Sequence, residues 1–582
     1  MRRFDRNKKT FCSRKFHSLL LTASVSMGME YLMLLSDSII IGNIFGEAAI
    51  AASNLVSPIF SVAVFVSSLI SIGTSMLYAY EIGKFQKDRA DRLFGQGVIL
   101  ALASGITLFL PAFLGKNCYF SFMNPSETVM TYARAYYRYY QFLMLLYPMY
   151  ALLIDMVYAD GDELICNLSY AAQVGVNIPV SIMLCRRIGV GGASLGTLIG
   201  TALSLAVLSL HFFRRQNSLK FVWHFRVGDL MKIIKGGFLD SVVYLLWGIT
   251  ACAANKFILT YFGDYYLPVL SVIISVIELT IVFDGIGQTI TPLVNVYRGE
   301  GNTVGIRKVM RLAGKTAVME GLSASVLLFF FGGYLARMLG ITDPGLLTLC
   351  KTAVRLACPF LVCTALLFLM TTYYLLIEKL LLATWITVMK DCLAPVALLM
   401  LLGSLLGVNG VWLGFGLAPL LSIGICCFVV LRYGRKQFPL LLPETGVEVR
   451  DFDLCLTEQA IVELRDSLET ILLKQNISRK LVSRIMLLTE ELEMLVLEKN
   501  PGKPVMAECT LILGQVIQLI FRDDGVLFDI TNENSAISSM RSYLVANMMI
   551  SQKRKTHLVT TSYNRNAFRF DRETQAELQT GY

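Results

Sequence analysis

The sequence predicts an all-α polytopic membrane protein of about twelve transmembrane helices in two six-helix repeats, followed by a small cytoplasmic α/β sandwich domain. Three observations carry this. Hydrophobic residues make up 55% of the chain and charged residues only 16%, a balance suited to a bilayer rather than to water. The pattern G-V-x-G-x-x-L-G occurs at Gly189–Gly196 and again at Gly407–Gly414, each copy opening a long apolar stretch that ends in arginines. A period this long fits two membrane halves of the kind common among secondary transporters, not a solenoid. Finally, the composition changes after Arg435, where Pro439 and Pro443 mark a linker and charged residues become frequent.

Apolar runs long enough to cross a bilayer, roughly 20 residues each, fall near 17–44, 49–80, 93–114, 132–158, 164–185, 190–213, 236–262, 266–297, 312–339, 349–377, 380–405 and 408–431. They divide the chain into a basic N-terminus (1–15), a first lobe (16–215), a linker (216–235), a second lobe (236–435), a second linker (436–446) and a tail domain (447–582). Further anchors support the repeat. Ile44-Phe45-Gly46-Glu47 is answered by Tyr261-Phe262-Gly263-Asp264, and Ile72-Gly73-Thr74 by Ile286-Gly287-Gln288.

Lysines and arginines set the orientation. Arg2, Arg3, Arg6, Lys8, Lys9, Arg14 and Lys15 precede the first span. The same side then receives Lys84, Lys87, Arg89 and Arg92, next Arg214, Arg215, Lys220, Arg226, Lys232 and Lys235, then Arg298, Arg307, Lys308 and Arg311, and finally Arg432, Arg435 and Lys436. The opposite side is poorer, with Arg186 and Arg187 as exceptions. Both termini are therefore expected in the cytoplasm and the protein in the cytoplasmic membrane. This topology also accounts for the net charge of +10, and no basic stripe alternates with stacking aromatics as a nucleic-acid binder requires. Glu30 and Asp37 interrupt the first apolar run, which reads as an uncleaved span rather than a signal peptide. The thirteen cysteines lie mostly in apolar spans, no C-x-x-C pair occurs and there are four histidines, so neither a disulfide framework nor a zinc site is expected.

A carboxylate near the bilayer centre costs on the order of 2.5–3.5 kcal/mol, which makes one that is retained a functional candidate. Asp37 is the best placed, with Glu30 seven residues earlier on the same helix face. Asp240, Glu278 and Asp284 in the second half are less specific, because Asn255 and Lys256 nearby allow a structural pairing. Tyr136, Tyr140 and Tyr147 share a face of the fourth span, where they line a cavity for flat or cationic substrates or form an interfacial belt. The expected substrate cavity thus draws on Glu30, Tyr140, Tyr147, Asp240 and Glu278.

From about residue 15 to 435 the chain resembles the multidrug and toxic compound extrusion (MATE) family. The resemblance rests on Ser36-Asp37-Ser38-Ile39-Ile40-Ile41-Gly42, Ala51-Ala52-Ser53-Asn54-Leu55-Val56-Ser57-Pro58-Ile59, Gly73-Thr74-Ser75 and Gly83 with Arg89-Ala90. It implies two six-helix lobes around a central cavity and export of organic cations or drugs in exchange for H⁺ or Na⁺, with no other cofactor and no enzyme activity. It also implies a cation site in the first lobe, to which Asp37, Asn177 and Thr197 correspond. Ser181 stands where that site has a second aspartate. The family's first-span proline is absent, since Pro58 is the first proline of the chain.

In the tail, helical periodicity over 457–475 and 478–499 precedes strand-like Ala507–Leu513 and Val516–Phe521, which meet at Gly514-Gln515. A helix near 535–551 and a last hairpin around Asn564-Arg565-Asn566 are expected to follow. This order resembles the histidine-kinase-type ATPase fold of anti-sigma-factor kinases. The resemblance implies a nucleotide site at Glu490 (or Glu491), Asp523 and Gly525, but Met494 replaces the asparagine expected after Glu490, and no glycine occurs between Val526 and Gly581. A degenerate regulatory module is expected, with a cytoplasmic protein partner left open. The alternatives to an efflux antiporter are a flippase for a lipid-linked precursor and a membrane sensor that signals through the tail. The expected partners are a small organic molecule and the lipid bilayer, not nucleic acid.

Overall fold

The computed structural model describes residues 10–83, 86–214, 217–434, 440–441, 447–475, 477–514, 516–526, 528, 551–552 and 563–571. The helix expected near 535–551 lies outside the described residues, apart from Ser551 at its end. The first half contains α1 (Phe11–Phe45), α2 (Glu47–Gly83), α3 (Lys87–Met123), α4 (Glu127–Ala159), α5 (Glu163–Ile188) and α6 (Gly191–Ser209). The second contains α7 (Val227–Tyr261), α8 (Leu267–Glu278), α9 (Asp284–Gly299), α10 (Thr303–Met338), α11 (Pro344–Ala357), α12 (Leu361–Leu376), α13 (Leu380–Val388), α14 (Ala394–Leu406) and α15 (Val408–Gly434). Among the described residues ten helical segments are long and apolar enough to cross a membrane, and eleven when α11 and α12, bent by 50° to one another, count as one span. The remaining expected span is α1, a 35-residue helix with no proline.

The repeated octet has the same structural role in both halves. Gly189 and Gly407 take positive φ of 81° and 68°, conformations that glycine adopts without a Cβ clash, and each turns one helix into the next. A Cβ on Gly192 would lie 2.3 Å from Cys185 N, and one on its counterpart Gly410 would lie 1.8 Å from Leu402 O. The antiparallel pairs α5/α6 and α14/α15 therefore pack backbone against backbone. The corner glycines Gly46 and Gly263 also share positive φ, 80° and 86°.

By its contacts the chain divides into two compact units. One comprises Met1–Val25, Gly285–Thr316 and Leu431–Tyr582, the other Ser26–Asp284 and Ala317–Val430. In the second unit small residues let α2 and α7 touch: a Cβ on Gly73 would meet Ile233 O at 2.0 Å, and one on Gly237 would meet Leu69 O at 2.1 Å. Gly73, conspicuous in the sequence motif, is thus a packing position.

In the first unit the tail folds as β1 (Glu448–Cys455), α16 (Glu458–Lys474), α17 (Arg479–Glu498), β2 (Met506–Leu513), β3 (Val516–Asp523), β4 (Ser551–Gln552) and β5 (Asn564–Asp571). Thr457 and Ser478 cap the two helices, their side chains accepting from Ala460 N and Leu481 N, which satisfies first-turn amides. The sheet is antiparallel in the order β1-β2-β3-β5-β4. The β2–β3 hairpin is as expected, but Asn564-Arg565-Asn566 is no hairpin. It opens β5, which pairs with β3 from Asp523↔Asn564 to Val516↔Asp571. Alternating apolar residues of β5, Phe568 and Phe570, join the core under the helices, so side-chain periodicity prevailed over the turn-like asparagines.

Candidate functional site

The four first-lobe residues Asp37, Asn177, Ser181 and Thr197 come together from three helices. Thr197 Oγ1 donates to Asp37 Oδ2 at 2.7 Å, Asn177 Nδ2 donates to Asp37 Oδ1 at 3.4 Å, and Ser181 Oγ donates to Asn177 Oδ1 at 2.6 Å. Asn177 and Ser181 are buried, Asp37 and Thr197 half-buried. The local sequence explains the convergence. Asn177 and Ser181 are one helical turn apart on α5 and share a face, and Gly196 beside Thr197 leaves room for Ser181, whose Oγ lies 2.1 Å from where a Gly196 Cβ would be.

This constellation belongs to a longer polar seam between α5 and α6. Ser169, Gln173, Asn177 and Ser181 recur every fourth residue on α5. Opposite them, Ser204 Oγ lies 2.5 Å from Ser169 Oγ, and Thr201 Oγ1 accepts from Gln173 Nε2 at 3.4 Å. Gln173 also accepts from Tyr150 Oη at 3.0 Å. The seam therefore joins the Asp37 group to the aromatic face of α4. One carboxylate with neutral amide and hydroxyl oxygens suits a proton or a hard monovalent cation. Among the described residues no cluster of three or more His, Cys, Asp or Glu side chains is arranged to hold a metal ion.

The expected cavity residues are partly gathered. Phe60 of α2 lies 5.1 Å from the Tyr140 ring and 5.0 Å from that of Tyr147, and Tyr140 lies 5.0 Å from Tyr136. Tyr140 is within electrostatic range of both Asp37 and Glu278, one carboxylate from each lobe. Asp240 is instead exposed and interacts with Asp284. The Glu30 side chain lies outside the described residues. Asp155 of α4, which hydrogen-bonds Ser71 of α2, was not anticipated. Its signal was present, since it is a carboxylate inside an apolar run.

At the opposite ends of the spans from the basic loops, the α1–α2 corner meets the segment after α10. A Cβ on Gly42 would lie 1.8 Å from Leu339 O, Asn43 Nδ2 donates to Met338 O at 2.8 Å, and Glu47 Oε1 accepts from Thr342 N and Asp343 N at 2.9 and 3.2 Å. At the repeat-related α7–α8 corner lies a cavity of about 1280 Å³ whose lining includes Tyr119, Phe122, Lys256, Tyr261, Phe262 and Met400. Lys256 is the one charged residue in that lining and donates to Phe122 O.

In the tail Asp523 and Gly525 are in contact, and Glu490 has a partner of its own. Glu490 is 44% exposed and faces Arg465 at 3.4 Å. Asp523 Oδ1 accepts from Asn564 Nδ2 at 2.8 Å and from Gly525 N at 3.1 Å, so the D-x-G carboxylate closes its own loop. Burial pushes the Asp523 carboxyl up to about 6, against the lowering effect of these bonds. The buried acid of α17 is Glu493, with neither carboxylate oxygen hydrogen-bonded among the described residues. Burial raises it to about 8.

The MatE family profile matches residues 23–183. The chain is 22% identical over 400 residues to a multidrug export protein, MepA, of Staphylococcus haemolyticus, which covers 67% of this chain and 86% of that protein. An inward-facing multidrug resistance MATE family transporter of the MOP superfamily superposes with a TM-score of 0.66 at 20% identity, covering 72% of this chain and 99% of the other. The MATE multidrug transporter DinF-BH, solved in complex with R6G, gives a TM-score of 0.62 at 19% identity, covering 76% and 100%.

Proposed function

Because the MatE family profile matches residues 23–183 and the chain is similar to a multidrug export protein, we propose that it is a MATE-family secondary antiporter exporting organic cations or drugs in exchange for H⁺ or Na⁺, with a regulatory tail. The observation that carries this reading is the Asp37 constellation, in which a lone carboxylate is held by Thr197 and Asn177 at the end of a buried polar seam. Protonation or ion binding at Asp37 alters the charge near the Tyr136–Tyr140 row, and so the affinity of that row for a cation. The coupling is reciprocal: an ion that neutralises Asp37 weakens cation binding, and a bound cation disfavours the ion.

In this reading both termini are cytoplasmic, which the lysines and arginines of the short loops support. Ser181 in place of a second carboxylate lowers the charge of the site, which favours a proton over a sodium ion. With no proline in α1, coupling does not rely on bending that helix at a proline.

The test is uptake of a labelled organic cation into inverted vesicles under an imposed proton or sodium gradient. Asp37→Asn keeps shape and hydrogen bonding but cannot release a proton, and should abolish gradient-driven uptake while leaving the amount of folded protein unchanged. Uptake equal to that of the parent would make Asp37 a packing residue. A lipid-linked substrate is favoured by one observation, Lys256 in the cavity at the α7–α8 corner. It predicts flipping of an anionic lipid that depends on Lys256 and not on Asp37.

A further inference from the structure

The tail sheet buries both of its faces. On one, Cys509, Leu511, Leu519 and Phe521 pack under α16 and α17. The alternate residues point the other way and are mostly polar: Asp451 and Asp453 of β1, Glu508 and Thr510 of β2, and Arg522 of β3. Glu508, Thr510 and Arg522 are nevertheless fully buried.

What covers them is the turn between α9 and α10. Tyr297 Oη donates to Glu508 Oε2 at 2.7 Å. Asn302 Nδ2 donates to Asp451 Oδ1 at 3.0 Å and to Thr510 Oγ1 at 3.2 Å. Lys308 Nζ lies 2.8 Å from Asp453 Oδ2 and 3.6 Å from Glu508 Oε1. Glu300, with its side chain only 4% exposed, is held between Arg522 and Arg565, whose Nε donates to it at 2.7 Å. Arg522 completes the set by pairing with Glu508 at 2.8 Å and lying 4.8 Å above the Tyr297 ring. Cys12, at the start of α1, is buried beside Tyr297 and Glu508.

Two further features bear on what this contact does. By its contacts, segment Gly285–Thr316 belongs to the same compact unit as the tail, not to the unit that holds most of the second lobe. Just before that segment the span changes from α-helix to 3₁₀-helix over Leu279–Phe283, an irregularity that often marks a hinge. The interface itself consists largely of paired charges. Such pairs specify one geometry, and when parted they are taken up by water, unlike apolar surface.

We propose that the tail is an intramolecular clasp on the α9–α10 turn, with Glu300 as its pin, and that the closed clasp slows transport by restraining this turn. The proposal rests on the transporter reading and deepens its regulatory part. It also means that this sheet face is occupied by the chain itself, and that a partner or ligand acts on transport by opening the clasp.

The experiment uses the full chain in inverted vesicles and follows maleimide labelling of Cys12 together with the vesicle uptake of an organic cation that reports efflux. Cys12 should be protected in the parent. Glu300→Gln should expose it and raise the efflux rate about threefold or more. Adding Asn302→Cys and Thr510→Cys to that variant should, on oxidation, restore both Cys12 protection and the parent rate, and reductant should reverse the effect. If Glu300→Gln lowers the amount of folded protein, Arg565→Gln at the partly exposed edge serves instead. Cys12 still protected in either variant would overturn the clasp, and Cys12 exposed at an unchanged efflux rate would overturn its restraint on transport. A parent that moves no organic cation defeats the antiporter reading instead, while the Cys12 pattern still decides whether the clasp exists.

Discussion

Gly42→Ala tests how the two lobes meet at the α1–α2 corner. The added methyl would lie 1.8 Å from Leu339 O and 2.8 Å from Leu339 C, and backbone atoms cannot rotate away as a flexible side chain would. The corner must separate, with loss of the Asn43 bond to Met338 O and of the Glu47 bonds to Thr342 N and Asp343 N. A neutral bond contributes about 1 kcal/mol and a bond to a charged acceptor about 1.5 kcal/mol or more. In this exposed seam roughly 3 kcal/mol is lost, or about a hundredfold shift in the ratio of parted to joined corners. The assay is labelling of Ser38→Cys, next to Asp37, by a membrane-impermeant maleimide, with exposed Cys118 replaced by serine. Faster labelling in the Gly42→Ala chain is expected, together with slower efflux because the joined state is under-populated. Labelling and efflux rates equal to the parent's would refute the reasoning, since they would mean that the corner is already parted in the membrane.

Ser181→Asp should confer sodium-stimulated efflux, because it places a second carboxylate beside Asn177, 2.6 Å from the present hydroxyl; transport assayed with and without a sodium gradient decides this, and no change means the site binds no sodium. Glu493→Gln should make the tail less sensitive to pH. The Glu493 pKa is raised from 4.5 to about 8, so between those values the unfolded chain loses a proton that the folded chain keeps. Its stabilising effect is complete below about pH 4.5 and is lost as pH rises through 8, a difference of about 5 kcal/mol at 1.36 kcal/mol per unit. Thermal unfolding of the two chains between pH 5 and 9 should therefore diverge, and parallel curves would show that Glu493 is hydrated. The purified chain should turn over no ATP, since Glu490 faces Arg465 and Asp523 is engaged by Asn564 and Gly525; turnover lost on Glu490→Ala would contradict this.

The membrane architecture was legible because it depends on local features. Apolar run length fixes spans, and the repeated glycines mark corners that recur in both halves. The Asp37 group was legible only through family resemblance, since nothing local joins residue 37 to residues 177 and 197. In α17 the sequence carried a signal that the motif comparison obscured. Val482, Met486, Thr489, Glu493 and Val496 follow helical spacing and are all buried, so helix phase singles out Glu493 where the motif pointed to Glu490. The Glu300 contacts had no such signal. A glutamate in a turn next to basic residues reads as a solvated charge, and its partners Arg522 and Arg565 lie more than two hundred residues away. Pairing across that separation is set by the folded chain, not by periodicity.

The cavity beside Lys256 bears on how a solute would be counted. Phe122, Ile249, Tyr261 and Met400 of its lining are exposed, on segments of the length and apolarity that cross a bilayer; for a solute that enters from the bilayer, the relevant concentration is the one among the acyl chains. A compound arriving there is presented at its concentration in the membrane, which is its aqueous concentration multiplied by its partition coefficient. Apparent affinities measured against aqueous concentration would then rank compounds by lipophilicity as much as by fit. Two drugs bound equally well from within the bilayer would differ in apparent Michaelis constant by the ratio of their partition coefficients.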